Sequence, residues 1–338
     1  MTSFKTWLDT LANGRTLSES EAEAAFDLMI EGEVAPSQMG GFLMALRVRG
    51  ETVDEIVGAA RSMRARAQTI TAPVGAVDTC GTGGDGSGSF NISTAAAFVT
   101  AACGVPVAKH GNRNLSSRSG SADVLAALGV DIEAPFAAIE QAIAEIGIGF
   151  LMAPRHHAAT RAVAPTRVEL GTRTVFNLLG PLCNPAGVRR QVMGVYDAKW
   201  VEPLAEVLRR LGSTNCWVVH GDGMDELTTT GTSEVAAVAD GQLTRFTVHP
   251  DDAGLPTASR ADLAGGSPEE NAAAMREVLA GKRGPLRDVV LLNAAAALIV
   301  GGKVATLREG AALGGEAIDS GTAARVLDRL ASFRPVPA

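Results

Sequence analysis

The chain has 338 residues, of which 30 are Lys or Arg and 37 are Asp or Glu, for a formal net charge of -7. That balance argues against a nucleic-acid-binding surface, whose phosphates demand a basic face. Hydrophobic residues make up 46% of the chain and charged residues 20%; with 38 glycines this describes a loop-rich α/β protein, and the length exceeds the usual size of a single core, so two compact parts are expected.

In chain order, the first signals are helical. Phe26, Met29 and Ile30, then Met39, Phe42, Leu43 and Leu46, then Val53, Ile56, Val57, Ala60 and Met63 recur at spacings of three and four. Ser18 with Glu21 and Thr52 with Glu55 have the spacing of a capping box, which marks helix starts. Roughly the first 70 residues therefore form a small helical unit, with Pro73 and Gly75 marking its exit. Beyond it, short apolar runs at Val105 to Ala108, Ile148 to Met152, Gln191 to Val195 and Cys216 to Val219 alternate with Ala-rich helices, which implies a largely parallel sheet covered by helices. Val235 to Val238 and Leu243 to Val248 flank Asp240-Gly241 and read as a hairpin at the end of the sheet. The tail from Pro268 is helical, and the apolar stretch Val289 to Val300 is a buried helix. Acidic residues appear by Asp9 with no apolar stretch before them, and no uncharged window is long enough to span a bilayer, so a cytosolic protein without a membrane partner is expected. Cys80, Cys103, Cys183 and Cys216 lack metal-ligand spacing and read as reduced thiols.

The chemistry concentrates between Val77 and Ser121. Gly81-Thr82-Gly83-Gly84-Asp85 follows the apolar pair Ala76-Val77, and glycine at three of five positions lets backbone N–H groups approach an anion without interference from Cβ. Asn91-Ile92-Ser93-Thr94 precedes Ala95 to Val99 and looks like an Asn or Ser cap on a helix whose N-terminus favours negative charge. Lys109-His110-Gly111-Asn112-Arg113 adds fixed positive charge and an amide, and the hydroxyl run Ser116-Ser117-Arg118-Ser119-Gly120-Ser121 leads into another helix. Singly, the glycine run describes a tight turn, and it fits neither the P-loop nor the dinucleotide pattern. Three such clusters at strand-to-helix junctions within one short interval suit a ligand carrying several phosphates.

These segments, in this order, resemble the anthranilate phosphoribosyltransferase family of tryptophan biosynthesis. The likeness continues through His156-His157, Ala164 to Gly171, Phe176 to Pro185 and His220 to Glu226, and so spans nearly the whole chain. Ala158, where the family usually has proline, and Ser89, where threonine is common, are mild departures. The resemblance implies an α/β fold with a small helical domain and a larger α/β domain around a mostly parallel central sheet. It implies a discontinuous helical domain, residues 1–71 with 166–186, against 72–165 with 187–338, and pairing of the helical units into a homodimer.

The implied reaction moves the phosphoribosyl group of 5-phosphoribosyl 1-diphosphate to the amino group of anthranilate. As the C1–O bond breaks, negative charge accumulates on the leaving diphosphate, so catalysis rests mainly on electrostatic stabilisation. Magnesium, a hard ion that shares oxygen ligands with phosphates, is the expected cofactor at two ions per subunit, held by Ser93, Asp225 and Glu226. Neighbouring side chains of a strand point to opposite faces, so the Gly221-Asp222-Gly223 loop is what would let both carboxylates converge; alone, the pair would be an ordinary solvated turn. Gly81, Gly84, Asp85, Ser89, Asn91, Ile92, Ser93, Thr94, Lys109, His110, Gly111, Asn112, Arg113, Ser116, Ser117 and Ser121 are the family-matched contacts to 5-phosphoribosyl 1-diphosphate. Gly81, Asn112 and Arg167 are the matched contacts to anthranilate, and Lys109, Asp225 and Glu226 the matched catalytic groups. Arg167 has an alternative fate as an ion-pair partner of Glu169, and His110, His156 and His157 as packed structural residues. Two relatives of the same fold stand as alternatives: a pyrimidine nucleoside phosphorylase-like enzyme, which the Gly81–Asp85 and Asp225-Glu226 pattern disfavours, and a nucleic-acid-binding protein, which the acidic charge disfavours.

Overall fold

The computed structural model describes residues 3–113 and 119–334. The chain opens with four helices, α1 (Phe4–Ala12), α2 (Glu19–Ile30), α3 (Pro36–Arg49) and α4 (Val53–Ala65). Both expected capping boxes form: Ser18 accepts from the Glu21 N–H while Glu21 accepts from the Ser18 N–H, and Thr52 and Glu55 repeat the arrangement. Glu55 is buried, accepts the Leu17 N–H at 2.9 Å and pairs with Arg49, so one cap ties three segments together. Helices α2 and α4 pack so closely that a Cβ on Gly58 would lie 2.7 Å from Glu23 N and 2.9 Å from Ala22 Cβ.

The remainder alternates strands and helices: β1 (Val77–Asp78), α5 (Ile92–Ala102), β2 (Val107–Gly111), α6 (Ser121–Ala127), α7 (Phe136–Ile146), β3 (Ile148–Met152), α8 (Ala153–His156), α9 (Ala164–Leu170), α10 (Phe176–Leu182), β4 (Arg190–Gly194), α11 (Val201–Arg210), β5 (Asn215–Gly221), β6 (Ser233–Ala239), β7 (Gln242–Val248) and α12 (Pro268–Leu279) through α13 (Pro285–Val300), α14 (Leu307–Asp319) and α15 (Thr322–Ala331). The sheet runs β3-β2-β1-β4-β5-β6-β7, parallel up to β5 and antiparallel from there. The β6–β7 turn is the expected one, with Asp240 at φ 49° and Gly241 at φ 75°, both in the left-handed region that a tight hairpin requires. The run read as a strand at Val105 to Ala108 lies two to three residues further on, so Lys109 and His110 belong to β2 itself.

Alternation along the strands divides the interior. Val192, Trp217, Val219, Val235 and Ala237 face α5 and α13, while Met193, Cys216, Val218, Ala236 and Val238 face α11 and share a continuous apolar core with α1 to α4. Helices α9 and α10 lie against the N-terminal helices, with the Phe176 ring 5.6 Å from that of Phe26 and Arg64 Nε donating to the Leu182 carbonyl at 2.7 Å. The β1, β2 and β4 ends thus open between the sheet and the α9–α10 segment. Among the described residues, no helix is long and apolar enough to cross a membrane.

Gly58→Ala is expected to lower stability by about 1–3 kcal/mol, the ordinary cost of overpacking a closed helix contact, and to lower the thermal midpoint without changing far-UV dichroism; differential scanning calorimetry checks it.

Candidate active site

A cavity of about 490 Å³ lies over the ends of β1, β2 and β4 and is closed on one side by α8 to α10. Gly81, Gly84, Asp85, Ser89, Asn91, Ser93, Thr94, Lys109, His110, Gly111, Asn112, Arg113, Ser121, Arg167, Asp225 and Glu226 all line it. Fold topology brings them together from stretches as far apart as 81 and 226. Ile92 does not line it: its side chain is in the core beneath α5, and its N–H is spent on the Phe90 carbonyl at 2.7 Å. Ser116 and Ser117 lie outside the described residues.

Beyond β1 the backbone enters the left-handed region at Gly83 and Gly84, φ 64° and 73°, which glycine adopts without strain. Asp225 closes this loop from across the cavity, its Oδ2 accepting the Gly83 N–H at 2.6 Å while its own N–H donates to Asp85 at 3.2 Å. The approach requires two glycines. A Cβ on Gly81 would lie 2.5 Å from the Asp225 carboxylate, and one on Gly194 would overlap the Asp225 carbonyl. Strand β5 ends in a reversal, Gly221 and Met224 exchanging backbone hydrogen bonds of 3.0 and 2.9 Å around Asp222 at φ 49°. Asp225 and Glu226 leave that turn toward different loops, Asp225 to Gly83 and Glu226 to the Ser93 N–H at 3.2 Å.

Asn91 occupies the cap position of α5 but does not cap it. Its side chain donates to the Ser119 carbonyl at 3.2 Å and accepts from Asn271 at 2.9 Å, which leaves the first turn of α5 to Glu226 and to whatever enters the cavity. Lys109 is buried, with Nζ 3.4 Å from both the carbonyl and the hydroxyl of Thr79. Arg113 is exposed beside Asp123 at 3.4 Å, and Ser121 donates to the Asn112 carbonyl at 3.3 Å at the start of α6. Ser89 accepts from Ser87 at 3.1 Å.

Arg167 projects from α9 over the Phe176 ring at 5.2 Å, and burial lowers its pKa. Among the described residues no carboxylate pairs with it, so the alternative partner Glu169 is not engaged. His110 donates through Nδ1 to the Gly180 carbonyl at 3.1 Å, and burial depresses it to about 3; His157 sits 5.3 Å away ring to ring, depressed to about 4. His156 bonds the Gln68 carbonyl at 2.6 Å and stacks on Phe136, a structural role.

The acidic groups are out of balance. Burial, then repulsion from Asp85 and Glu226, holds Asp225 well above the usual carboxylate range, and burial pushes Glu226 up to about 7 against the opposing pull of Lys109 and Ser93. Such a set of hard oxygens is electrostatically short of a cation.

Residues 74–324 match the glycosyl transferase family a/b domain, and residues 5–67 match the helical bundle domain of the same family. Anthranilate phosphoribosyltransferases of Beijerinckia indica and of Rhodopseudomonas palustris strain BisA53 are 59% and 60% identical to it, over 98% of each chain in both cases. The chain belongs to the anthranilate phosphoribosyltransferase family. A crystal structure of that enzyme from Thermus thermophilus superposes with a TM-score of 0.92 at 48% identity, covering 96% of this chain and 98% of that one. The Saccharomyces cerevisiae anthranilate phosphoribosyltransferase in complex with PRPP and Mg superposes at 0.89 with 27% identity, over 97% of this chain and 96% of the yeast one.

Sequence reasoning on this anthranilate phosphoribosyltransferase relative missed several residues that touch the site. Asp78, at the end of β1, accepts from Asn184 at 2.7 Å and from the His110 N–H at 3.2 Å beneath the cavity floor; Asn184 sits in the family-like Phe176–Pro185 run, but nothing in the sequence marks its partner. Arg173 stacks on Tyr196 at 4.3 Å and donates to the Gly84 carbonyl, joining the α9–α10 segment to the glycine loop. Gly194 carried no signal, because the close approach it permits is a tertiary fact.

A pH test follows from Glu226. In the unfolded chain its carboxyl titrates near 4.5, so between 4.5 and about 7 the native state keeps a proton that the unfolded chain releases, and native stability falls as pH rises through that window. Glu226→Gln removes this loss: in divalent-free buffer its thermal midpoint should exceed that of the parent at pH 8, with the gain shrinking toward pH 4.5.

Proposed function

We propose that the chain transfers the phosphoribosyl group of 5-phosphoribosyl 1-diphosphate to the amino group of anthranilate, giving N-(5-phosphoribosyl)anthranilate and diphosphate in tryptophan biosynthesis. The observation that carries this reading is Arg167, a desolvated guanidinium lining the cavity with no carboxylate partner among the described residues. A small aromatic acid supplies the missing charge in the planar form that a guanidinium recognises best. Asn112 and Gly81 line the same space.

Opposite Arg167, the backbone of Gly81 to Gly84, the first turn of α5 and the Lys109 ammonium favour anionic oxygens. The diphosphate lies there, with Asp85, Ser89, Asn91, Ser93, Thr94 and His110 around it and the other phosphate near Gly111, Arg113 and Ser121. Lys109, already buried, stabilises the leaving group's developing charge without reorganising. Cavity walls on the α8–α10 side hold anthranilate's amine toward the ribosyl carbon and exclude competing water. The aromatic amine loses its proton late, so no essential general base is assigned.

Ser93, Asp225 and Glu226 fit magnesium: they are hard oxygen donors, and both carboxylates carry raised pKa values that a dication would relieve. When bound, magnesium supplies charge neutralisation of the diphosphate, and the reading takes two ions per subunit. The yeast relative's structure with Mg supports the choice of ion, and another yeast structure, with a TM-score of 0.86, contains 4-fluoroanthranilate.

The reading extends to a helical domain of 1–71 with 166–186 against 72–165 with 187–338, to a cytoplasmic location, and to a homodimer formed through the helical domain. Val48 on α3 and Val168 on α9 are 81% and 79% exposed, apolar side chains that a second copy would cover.

Purified protein should consume anthranilate fluorescence only when 5-phosphoribosyl 1-diphosphate and magnesium are both present; loss without either would contradict the reaction. Arg167→Ala should raise KM for anthranilate about 10- to 100-fold, the equivalent of one charged hydrogen bond, and leave KM for the phosphoribosyl donor nearly unchanged in initial-rate kinetics. Asp225→Asn combined with Glu226→Gln should instead lower turnover at saturating anthranilate and raise the magnesium needed for half-maximal rate.

A further inference from the structure

At the cavity floor, at the ends of β1 and β2, a carboxylate oxygen of Asp78, the sulfur of Cys80 and a ring nitrogen of His110 lie within 4.8 Å of one another. Among the described residues no other trio of His, Cys, Asp or Glu comes so close. Asp225 and Glu226 are not members, so this is a separate cluster of different chemistry. Neither the reaction nor its magnesium uses a thiol.

The decisive detail is the histidine. A carbonyl can only accept, so the Gly180 carbonyl at 3.1 Å from Nδ1 fixes the proton on that nitrogen and leaves Nε2 with a lone pair. Nε2 is buried, in a residue 2% exposed, and has no hydrogen-bond partner. A neutral imidazole with one nitrogen bound to a carbonyl and the other free is the arrangement that metal-ligating histidines use. Cys80 is one of the residues lining the cavity; its thiol donates to the Gly81 carbonyl at 3.5 Å and burial pushes its pKa up, so a cation must displace that weak hydrogen bond and the thiol proton together.

The structure assigns Asp78, Cys80 and His110 as an inhibitory site for a thiophilic divalent cation, Zn2+ or Cd2+. Tetrahedral zinc bonds of roughly 2.0–2.3 Å set ligand atoms about 3.5 Å apart, so the proposed site requires the trio to draw in by about 1 Å with Nε2 as the histidine ligand, and a water from the cavity takes the fourth position. Binding forms a metal–sulfur bond and breaks the S–H bond, releasing one proton to solvent, with no redox change. Inhibition follows from place. The cation would sit beside Lys109, whose charge already acts on Asp78 and Cys80, and would hold His110 and the β1 end in a fixed arrangement.

Cobalt(II) provides an optical probe, because a cobalt–thiolate bond absorbs in the near ultraviolet and an all-oxygen site does not. Full-length wild-type protein titrated with Co2+ should develop this band, as should the Asp225→Asn, Glu226→Gln double variant; Cys80→Ala and Cys80→Ser should not. In the anthranilate assay at saturating magnesium, Zn2+ should inhibit wild type reversibly by chelator, and both Cys80 variants should need at least about tenfold more. Melting curves establish that the variants are folded, and the serine variant serves if alanine is not. Equal zinc sensitivity in folded Cys80 variants, or a band that survives them or disappears with Asp225 and Glu226, would overturn the assignment. Because the cobalt band needs no turnover, its outcome is independent of the proposed reaction.

Discussion

Two chain segments that carry opposite demands are pressed together without room for a side-chain carbon between them. The acidic turn at Asp225 lies against Gly81 and Gly194, its carbonyl where a Gly194 Cβ would be and its carboxylate on the Gly83 N–H. From this contact the rest of the site follows. Holding Asp225 there aligns Glu226 with the first turn of α5 and brings the Glu226 carboxylate within reach of the Lys109 field. Sheet order makes the contact possible, because β4, which carries Gly194, sits between β1 and β5, the strands that deliver the glycine loop and the acidic turn.

The same contact explains why the cavity carries an electrostatic deficit in the protein alone. Desolvated carboxylates at Asp225 and Glu226, with Asp85 beside them, repel one another, and a single buried lysine does not compensate them. On the far side Arg167 is desolvated and unpaired among the described residues. Substrate and cation therefore complete charge patterns the fold leaves unfinished. Stability is given up locally so that binding has something specific to satisfy.

Much of this was legible in the chain. Capping boxes at Ser18 and Thr52, the Asp240-Gly241 hairpin and the apolar runs of β3 to β6 are local signals with local causes, and they predict the corresponding elements. Candidate site residues were legible because phosphate handling needs glycine, hydroxyl and cation in short runs, and the runs converge on one cavity. Three matters were not. Asn91 looks like a cap, but a tertiary partner, Asn271, takes its side chain. Ile92 lies within a motif yet faces the core, since one residue of helix phase decides it. Cys80 and His110 lack metal-ligand spacing in sequence and meet only because β1 and β2 are neighbours.

The most direct test of the central contact is the magnesium dependence of turnover in Gly194→Ala. A Cβ at this position must displace the Asp225 turn while leaving the apolar faces of β4 intact. The account predicts a folded protein whose half-maximal magnesium concentration rises by about tenfold or more, in keeping with the loss of a positioned ligand. A folded variant with the parent's magnesium dependence and turnover would contradict it.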